Sequence, residues 1–249
     1  MNRVLIVPAA GRGSRLGSEL PKLLVPVNGR AMIDYLFDLY RGIVARFVLV
    51  VSPAGVGPVK SHCAGRKETI DMMIQPEPTG MLDAILVPRD GVKALNPDEV
   101  WVTWCDQIAV QQATVDRLAE AMGRTPRPAL VFPTVETDEP YIHFSRDREG
   151  TITAVLHRRE GDAMPARGEG DIGLFAMSAG SYLGELPAYA ESADLGGRTG
   201  ERNFLPFIPW LARQGKVRTV AASSSMEAIG INTPDDLVLV ARHLSQAHD

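Results

Sequence analysis

Short runs of consecutive apolar residues alternate along this chain with stretches in which apolar residues recur every three or four positions. The first pattern is typical of buried parallel strands and the second of amphipathic helices. Continuous apolar runs predict strands at residues 4–7 and 47–51, and largely apolar segments predict further strands at 70–74, 99–105, 130–134, 172–177 and 217–221. Helical spacing predicts helices that begin near Ala31, near Val115, after Phe204 and near Leu237.

The order of these elements predicts an α/β fold, because strand, helix and strand in succession form a right-handed crossover unit. Residues 141–145 and 151–156 interrupt this order and predict a small β excursion around the turn at 148–150. Polar, glycine-containing segments at 161–170 and 192–200 predict two mobile loops. Pro206 and Pro209 predict that the helix after Phe204 is broken or begins late.

Composition narrows the class of protein. The chain has 249 residues, of which 45% are hydrophobic, and this is enough for one packed core. Its net charge of −4 predicts no general attraction to nucleic acid or to acidic membranes. No apolar run approaches the roughly 20 residues that span a bilayer. Cys63 and Cys105 form neither a disulfide framework nor a zinc pattern, so the sequence predicts a reducing cytoplasm.

The first strand leads into a glycine-rich, cationic loop that contains Gly11, Gly13 and Gly17. Glycines let backbone N–H groups approach an anion closely, because no Cβ is in the way. Arg12, Arg15 and Lys22 add positive charge at the same strand end. We therefore expect phosphate binding at the carboxyl edge of the sheet.

Two other phosphate-binding loops fit this segment less well. A P-loop requires Gly-Lys-Ser/Thr after its glycines, and the segment has none. A dinucleotide-binding fold requires a helix straight after the glycines and an acidic residue after the second strand. Pro21 interrupts any such helix, and the second strand ends in Ser52-Pro53. An NAD-binding reductase is therefore the least favoured interpretation.

The pattern Gly11-x-Gly13-x-Arg15 followed by Pro21-Lys22 resembles the opening motif of the nucleotidyltransferases that make nucleotide sugars. Its spacing is similar to that in the uridylyltransferase half of the bacterial bifunctional N-acetylglucosamine-1-phosphate enzyme. The resemblance implies a single Rossmann-like, three-layer domain over residues 1–249. It also implies a mixed, mainly parallel central sheet, with the small β excursion over the acceptor site.

The resemblance also implies roles for particular residues. Arg15, Lys22 and Asp106 are expected to be catalytic, and Asp106 and Asn232 to hold Mg²⁺, which prefers oxygen ligands. Nucleotide binding is expected from Ala10, Gly11, Gly13, Arg15, Lys22, Gln75 and Gly80. Asp106 stands in Trp104-Cys105-Asp106-Gln107, where the family more usually has glycine-aspartate-x-proline. The alternative is that Asp106 is an ordinary helix-start acid and that Gln75 merely ends a strand.

On the acceptor side the resemblance implies contacts from Tyr141, His157 and Asp171. Pro140, His157 and Asp171 stand where the relative has a glycine, a glutamate and an asparagine, so we expect N-acetylglucosamine 1-phosphate to be a poor substrate. Glu169 and Asp171 would make this pocket acidic, with Trp104 and Tyr141 as aromatic walls. Such a pocket also suits an acceptor that carries a cation.

The reaction implied by the resemblance joins a nucleoside triphosphate to a phosphorylated small-molecule acceptor and releases pyrophosphate. We expect UTP and a sugar 1-phosphate to be the substrates. A cytidylyltransferase for phosphocholine or an aminophosphonate is the alternative, and a non-catalytic nucleotide-binding regulator is the alternative of another class. Neither nucleic acid nor a membrane is an expected partner, and a homo-oligomer is left open.

Overall fold

The computed structural model describes residues 1–11 and 13–246, apart from the side chain of Ser14. These residues form strands and helices in alternation. The strands are β1 (Arg3–Ala9), β2 (Pro26–Val27), β3 (Arg30–Ala31), β4 (Arg46–Val51), β5 (Ile70–Ile74), β6 (Glu99–Thr103), β7 (Leu130–Asp138), β8 (Ile142–Arg146), β9 (Ile152–His157), β10 (Arg167–Asp171), β11 (Leu174–Ser178) and β12 (Val217–Ala221). The α-helices are α1 (Met32–Tyr40), α2 (Val56–Cys63), α3 (Met81–Leu86), α4 (Arg89–Ala94), α5 (Gln112–Met122), α6 (Leu186–Ala190), α7 (Phe207–Ala212) and α8 (Pro234–Gln246).

Eight of these strands form one mixed sheet. Its order is β10-β7-β11-β6-β1-β4-β5, and β12 pairs with β7. The pairs β6–β1, β1–β4, β4–β5 and β7–β12 are parallel, whereas β11 and β10 pair antiparallel with their neighbours. The predicted α/β fold with a mainly parallel, mixed sheet is thereby confirmed.

Apolar side chains cover both faces of the sheet. On β1, Leu5 and Val7 belong to one hydrophobic cluster and Val4 and Ile6 to another, because successive side chains of a strand point to opposite faces. Helices α1, α5 and α8 contribute to the first cluster, and α3, α4, α6 and α7 contribute to the second. The predicted three-layer arrangement follows from these two clusters.

Two hairpins lie outside the main sheet. β2 and β3 join through Asn28 and Gly29, which both have positive φ, as a tight hairpin turn requires. β8 and β9 pair antiparallel and form the predicted β excursion. Helix α7 begins at Phe207 and contains Pro209, in agreement with the late start predicted from the prolines.

The predicted loop at 161–170 is partly wrong, because residues 167–170 belong to strand β10. Glycine is uncommon in strands, so Gly168 and Gly170 favoured a loop. In the structure β8 lies across β10 at these two positions. A Cβ on Gly168 would lie 2.4 Å from His143 Nδ1, and one on Gly170 would lie 2.8 Å from the carbonyl oxygen of Ile142. The two glycines are therefore needed where one strand crosses another closely.

Strand β6 is shorter than predicted, since it ends at Thr103 rather than at residue 105. Cys105 is nevertheless buried in the core, and burial raises the pKa of its thiol to about 12. Every helix in the described part of the chain is too short or too polar to span a lipid bilayer.

Candidate functional site

The segments that follow β1, β5 and β6 carry all the candidate nucleotide and metal residues except Asn232, which precedes α8. These strands run parallel within the order β6-β1-β4-β5, so their carboxyl ends meet at one edge of the sheet. Ala10 and Gly11 follow β1, Gln75 follows β5, and Asp106 comes three residues after β6. The fold therefore brings the predicted motifs to a common edge, as the sequence analysis expects.

Four of the predicted site residues meet in one polar cluster. The Lys22 ammonium forms an ion pair with Asp106 Oδ2 and donates a hydrogen bond of 2.9 Å to Asn232 Oδ1. Arg15 Nη2 donates to the same amide oxygen at 3.1 Å. Two cationic side chains thus meet one carboxylate and one amide oxygen, an arrangement that can bind the negative charges of phosphate groups.

The first loop presents Lys22 through the local backbone. Residues 22–24 form a short 3-10 helix that follows Pro21, and the side chain of Leu23, within this helix, is fully buried. Gly13 lies against the aliphatic part of Lys22, since a Cβ on Gly13 would be 3.2 Å from Lys22 Cβ. Arg12, which the sequence analysis counts among the cations of this loop, lies outside the described residues.

Backbone contacts hold Asp106 and Asn232 together. The Ile231 N–H donates to the Asp106 carbonyl oxygen at 3.2 Å, and Asn232 Nδ2 donates to the Gly230 carbonyl oxygen at 3.1 Å. Asn232 precedes α8, where Asp236 Oδ2 accepts from the N–H groups of Asn232 and Thr233 at 3.0 and 2.8 Å. This capping fixes the backbone of Asn232 and directs its side chain toward Lys22.

The two oxygen donors of this cluster suit a hard divalent cation. Asp106 and Asn232 both contact a single positive group, the Lys22 ammonium, so their oxygens already converge on a cation. Among the described residues no group of three or more His, Cys, Asp or Glu side chains could hold a metal ion. A cation at this place would therefore take its remaining ligands from water and phosphate, as Mg²⁺ commonly does.

Gln75 and Gly80 form a second group, at the end of β5. Gln75 is buried and donates from Nε2 to the Gly80 carbonyl oxygen at 3.2 Å. Gly80 has a φ of +129°, and a Cβ there would lie 2.4 Å from the carbonyl oxygen of Arg202. Glycine is thus required by the close approach of the Arg202 segment as well as by the backbone conformation.

Arg202, which was not among the residues expected from the sequence, fixes the segment that contains Gly80. Its N–H donates to the Thr79 carbonyl at 2.9 Å, and its carbonyl accepts from Leu82 N–H at 3.0 Å. Its guanidinium pairs with Asp83 at 2.6 Å. No local motif marks Arg202, because the residues that it holds around Gly80 lie about 120 residues earlier in the chain.

On the predicted acceptor side, Tyr141 and His157 lie next to each other. Their rings meet edge to face with centroids 5.3 Å apart, and Tyr141 is half exposed. Burial is the main cause that lowers the pKa of His157 below its usual range. The Pro140 carbonyl oxygen accepts hydrogen bonds of 3.3 Å from Arg158.

Asp171 and Glu169 share one face of β10 but differ in their partners. Glu169 forms a bidentate ion pair with Arg146, with distances of 2.7 and 2.6 Å, so its charge is compensated. Asp171 Oδ2 accepts from the Gly173 N–H at 2.8 Å. Burial raises the pKa of Asp171 to about 6. Of the two acids proposed for an acidic pocket, one is therefore neutralised by an ion pair, and burial disfavours the charged form of the other.

Glu160 forms hydrogen bonds to the second predicted loop, residues 192–200, and to Asn203 just after it. Its carboxylate accepts from Arg198 N–H at 3.0 Å, from Thr199 Oγ1 at 2.6 Å and from Asn203 Nδ2 at 3.0 Å. These hydrogen bonds, against an opposing effect of burial, hold the pKa of Glu160 at about 2. The loop at 192–200 is thereby connected to the segment that follows His157.

Comparison with known proteins places these features in a family. The family profile described as "MobA-like NTP transferase domain" matches residues 5–170. That range includes the first loop, the segment around Gln75 and Gly80, and Asp106.

Curated relatives align over nearly the whole chain. The "Bifunctional protein GlmU" of Stutzerimonas stutzeri is 27% identical over 247 residues, which cover 98% of this chain and 52% of the relative. The protein of the same name from Pseudomonas putida is 28% identical over 253 residues, which again cover 98% of this chain and 52% of the relative. The chain thus spans about half the length of these relatives. Together with the family profile, they confirm the resemblance drawn from the sequence motifs.

Proposed function

We propose that this chain, which belongs to the family of MobA-like NTP transferase domains, transfers a nucleoside monophosphate from UTP to a sugar 1-phosphate and releases pyrophosphate. The observation that carries the proposal is the meeting of Arg15 and Lys22 with Asp106 and Asn232 at the carboxyl edge of the sheet. We further propose that the nucleotidyltransferase domain extends over residues 1–249, since relatives align with 98% of the chain.

The chemistry requires positioning more than proton transfer. A phosphate monoester has a second pKa of about 6, so an acceptor phosphate is already largely a dianion near neutral pH. No general base is then needed, and the protein must bring two anions together and stabilise charge on the leaving pyrophosphate. In this proposal Arg15 and Lys22 bind the triphosphate, together with backbone N–H groups near Gly11 and Gly13.

Asp106 and Asn232 would hold Mg²⁺ through their side-chain oxygens. When bound, the cation would neutralise part of the phosphate charge. The Lys22 ammonium, which contacts both oxygens in the structure, would then be free to bind the triphosphate.

We assign Gln75 and the backbone of Gly80 to the base, because the buried amide can both donate and accept hydrogen bonds. Tyr141, His157 and Asp171 are assigned to the acceptor. The preference for UTP rests on the resemblance of the first loop to uridylyltransferases.

The cytidylyltransferase alternative loses part of its physical support. It relied on two acidic side chains and two aromatic walls, Trp104 and Tyr141, and Arg146 compensates the charge of Glu169. Of the two acids only Asp171 then remains to attract a cation, and burial disfavours its charged form.

Pyrophosphate release, measured for each nucleoside triphosphate with each acceptor, tests the proposal. The acceptors are a series of sugar 1-phosphates, phosphocholine and aminoethylphosphonate, each with and without Mg²⁺. We expect the highest kcat/KM for UTP with a sugar 1-phosphate other than N-acetylglucosamine 1-phosphate. Highest turnover with CTP and phosphocholine would support the cytidylyltransferase instead. Thermal stabilisation by a nucleotide without turnover on any acceptor would support the regulator.

A further inference from the structure

The side chain of Gln107 is buried directly beside Asp106, and its amide oxygen has no hydrogen-bond partner among the described residues. Gln107 is 7% exposed. Its Oε1 atom is inaccessible to solvent and accepts no hydrogen bond from the residues that the structure describes. A buried amide oxygen without a partner is unusual, because it loses its hydrogen bonds to water without replacement.

Asp171 carries a second acceptor atom of the same kind. Its Oδ2 is satisfied by the Gly173 N–H, but its Oδ1 is buried and finds no partner within the described parts of the chain. Asp171 has an expected role in acceptor binding, whereas the sequence analysis gives none to Gln107.

Gly173 connects the two residues in space. A Cβ on Gly173 would lie 2.6 Å from Gln107 Cγ and 2.4 Å from Trp104 Cδ1, so the Gln107 side chain packs directly on this glycine. The N–H of the same glycine donates to Asp171. Gln107 and Asp171 therefore both adjoin Gly173.

Gly230 connects Gln107 to the polar cluster around Asp106. A Cβ on Gly230 would lie 3.1 Å from Gln107 Nε2 and 3.2 Å from Asp106 Oδ2. The Gln107 amide thus adjoins Gly230 beside Asp106, the carboxylate assigned to the metal, while its Cγ packs on Gly173, whose N–H donates to Asp171. An acceptor whose phosphate reaches the metal while its body contacts Asp171 would therefore pass close to Gln107.

An apolar side chain of the same length would fill this position without an unpaired polar atom. Glutamine at this place therefore suits a ligand that brings a hydrogen-bond donor to the site.

We propose that Gln107 determines acceptor specificity, and that its amide binds, together with Asp171, a hydrogen-bond-donating group next to the acceptor phosphate. The donor is a sugar hydroxyl or a protonated amine. A quaternary ammonium, which has no N–H, gains nothing from this subsite. The inference rests on the proposed function and adds to it the class of group that the acceptor must carry.

The test replaces Gln107 by methionine, which keeps the length and flexibility of the side chain and removes its hydrogen bonding. Steady-state kinetics are measured with the best sugar 1-phosphate, with its deoxy analogues, with aminoethylphosphonate and with phosphocholine. Gln214→Met, at an exposed position after α7, is the matched control. Gln107→Leu is made in parallel, in case the methionine variant does not fold.

We expect Gln107→Met to raise the KM for the best acceptor at least tenfold, with the KM for the nucleotide changed less than twofold. One deoxy analogue should be used equally well by parent and variant, because it lacks the hydroxyl that Gln107 binds. Any turnover of phosphocholine should be unchanged. The variant should melt at the same temperature as the parent or higher, because replacing an unpaired buried amide by an apolar group removes an unfavourable burial.

If Gln107→Met raised the KM equally for all acceptors and for the nucleotide, the inference would be overturned and Gln107 would have a structural role. Unchanged acceptor discrimination in an active variant would overturn it as well, with the proposed function intact. A parent protein that turns over no pair of substrates would overturn the proposed function and this inference together.

Discussion

On the proposed nucleotide side of the site, Lys22 and Asp106 neutralise each other and Lys22 also donates to Asn232, whereas on the proposed acceptor side Gln107 and Asp171 each retain an acceptor atom without a partner among the described residues. In the proposed reaction the two sides have different tasks. Triphosphate and metal are highly charged, and a cluster of isolated like charges would be costly to fold without them. Neutral or weakly charged groups of an acceptor require directed hydrogen bonds, and a few unpaired atoms can be tolerated for that purpose.

The comparison implies that substitutions on the two sides have opposite effects. Loss of a charged group on the nucleotide side should reduce activity and leave its former partner uncompensated. Loss of an unpaired group on the acceptor side should reduce discrimination but maintain or increase stability.

The largest effect is expected for Asp106→Asn. A carboxylate supplies most of the negative charge available to a divalent cation here, so magnesium-dependent turnover should fall below detection. Asn232→Ala should be weaker in the same direction, because a neutral oxygen is lost. The measurement is a magnesium titration of pyrophosphate release, with Asp116→Asn, exposed on α5, as the control. Wild-type magnesium dependence in Asp106→Asn would contradict the assignment.

Lys22→Ala should lower kcat by about 10²–10³-fold, by analogy with the loss of one preorganised donor at a developing anion. Pyrophosphate release is compared with that of the parent and of Lys60→Ala, which removes an exposed lysine from α2. Circular dichroism and thermal melting verify that both variants are folded. If turnover is unchanged, Lys22 has no part in the reaction.

Asp171→Asn should change stability in a pH-dependent manner. Burial raises the pKa of Asp171 from 3.8 to about 6, so the folded protein holds a proton that the unfolded chain has released. The free energy of unfolding should therefore fall as the pH rises from about 4 to about 6. Each pKa unit corresponds to about 1.4 kcal/mol, so the variant should be more stable than the parent above pH 6 by up to ~3 kcal/mol.

Denaturant unfolding of the parent and of Asp171→Asn at pH 4, 5, 6 and 7 measures this difference. Asp90→Asn, at an exposed position in the first turn of α4, is the control and should show no such trend. A constant difference across these pH values would show that the carboxyl group of Asp171 is not the cause.

A smaller effect is expected for Gly80→Ala, which tests how the segment assigned to the nucleotide base is held in place. The positive φ and the close backbone of Arg202 together should cost about 2 kcal/mol of unfolding free energy. Gly57→Ala is the matched control, since Gly57 lies within α2 with open space around it and should be neutral or stabilising. Equal melting temperatures for the two variants would show that the Arg202 segment moves aside without cost.

The fold was largely predictable from the sequence because the strands of the parallel part are rich in apolar and β-branched residues, and β4 after its first residue is a continuous apolar run. The predicted strands at 70–74 and 217–221 coincide with β5 and β12. Strand β10 escaped prediction because its glycines serve a crossing with β8, and the need for that crossing is not encoded locally.

The site was predictable where a motif follows a strand, and less so where a contact joins distant segments. β1 and β6 are neighbouring parallel strands, so topology alone brings the segments that lead to Lys22 and Asp106 to the same edge of the sheet. The direct ion pair between Lys22 and Asp106 does not follow from topology, since it depends on side-chain directions across 84 residues. Gln107 also escaped notice, because only its surroundings show that its amide is buried without a partner.

The place of the Lys22 ammonium has a thermodynamic consequence. Because it contacts both oxygens assigned to the metal, the free protein carries an internal counter-ion that competes with a divalent cation. A triphosphate that attracts Lys22 away would remove the competitor, so nucleotide and cation should each raise the affinity of the other. Titration of Mn²⁺ with and without a non-hydrolysable triphosphate tests this coupling: it should be strong in the parent and diminished in Lys22→Ala, where the cation should bind more tightly by itself. Equal coupling in both proteins would rule out the competition. Loss of the coupling in Lys22→Ala would mean that Lys22 makes metal uptake conditional on substrate.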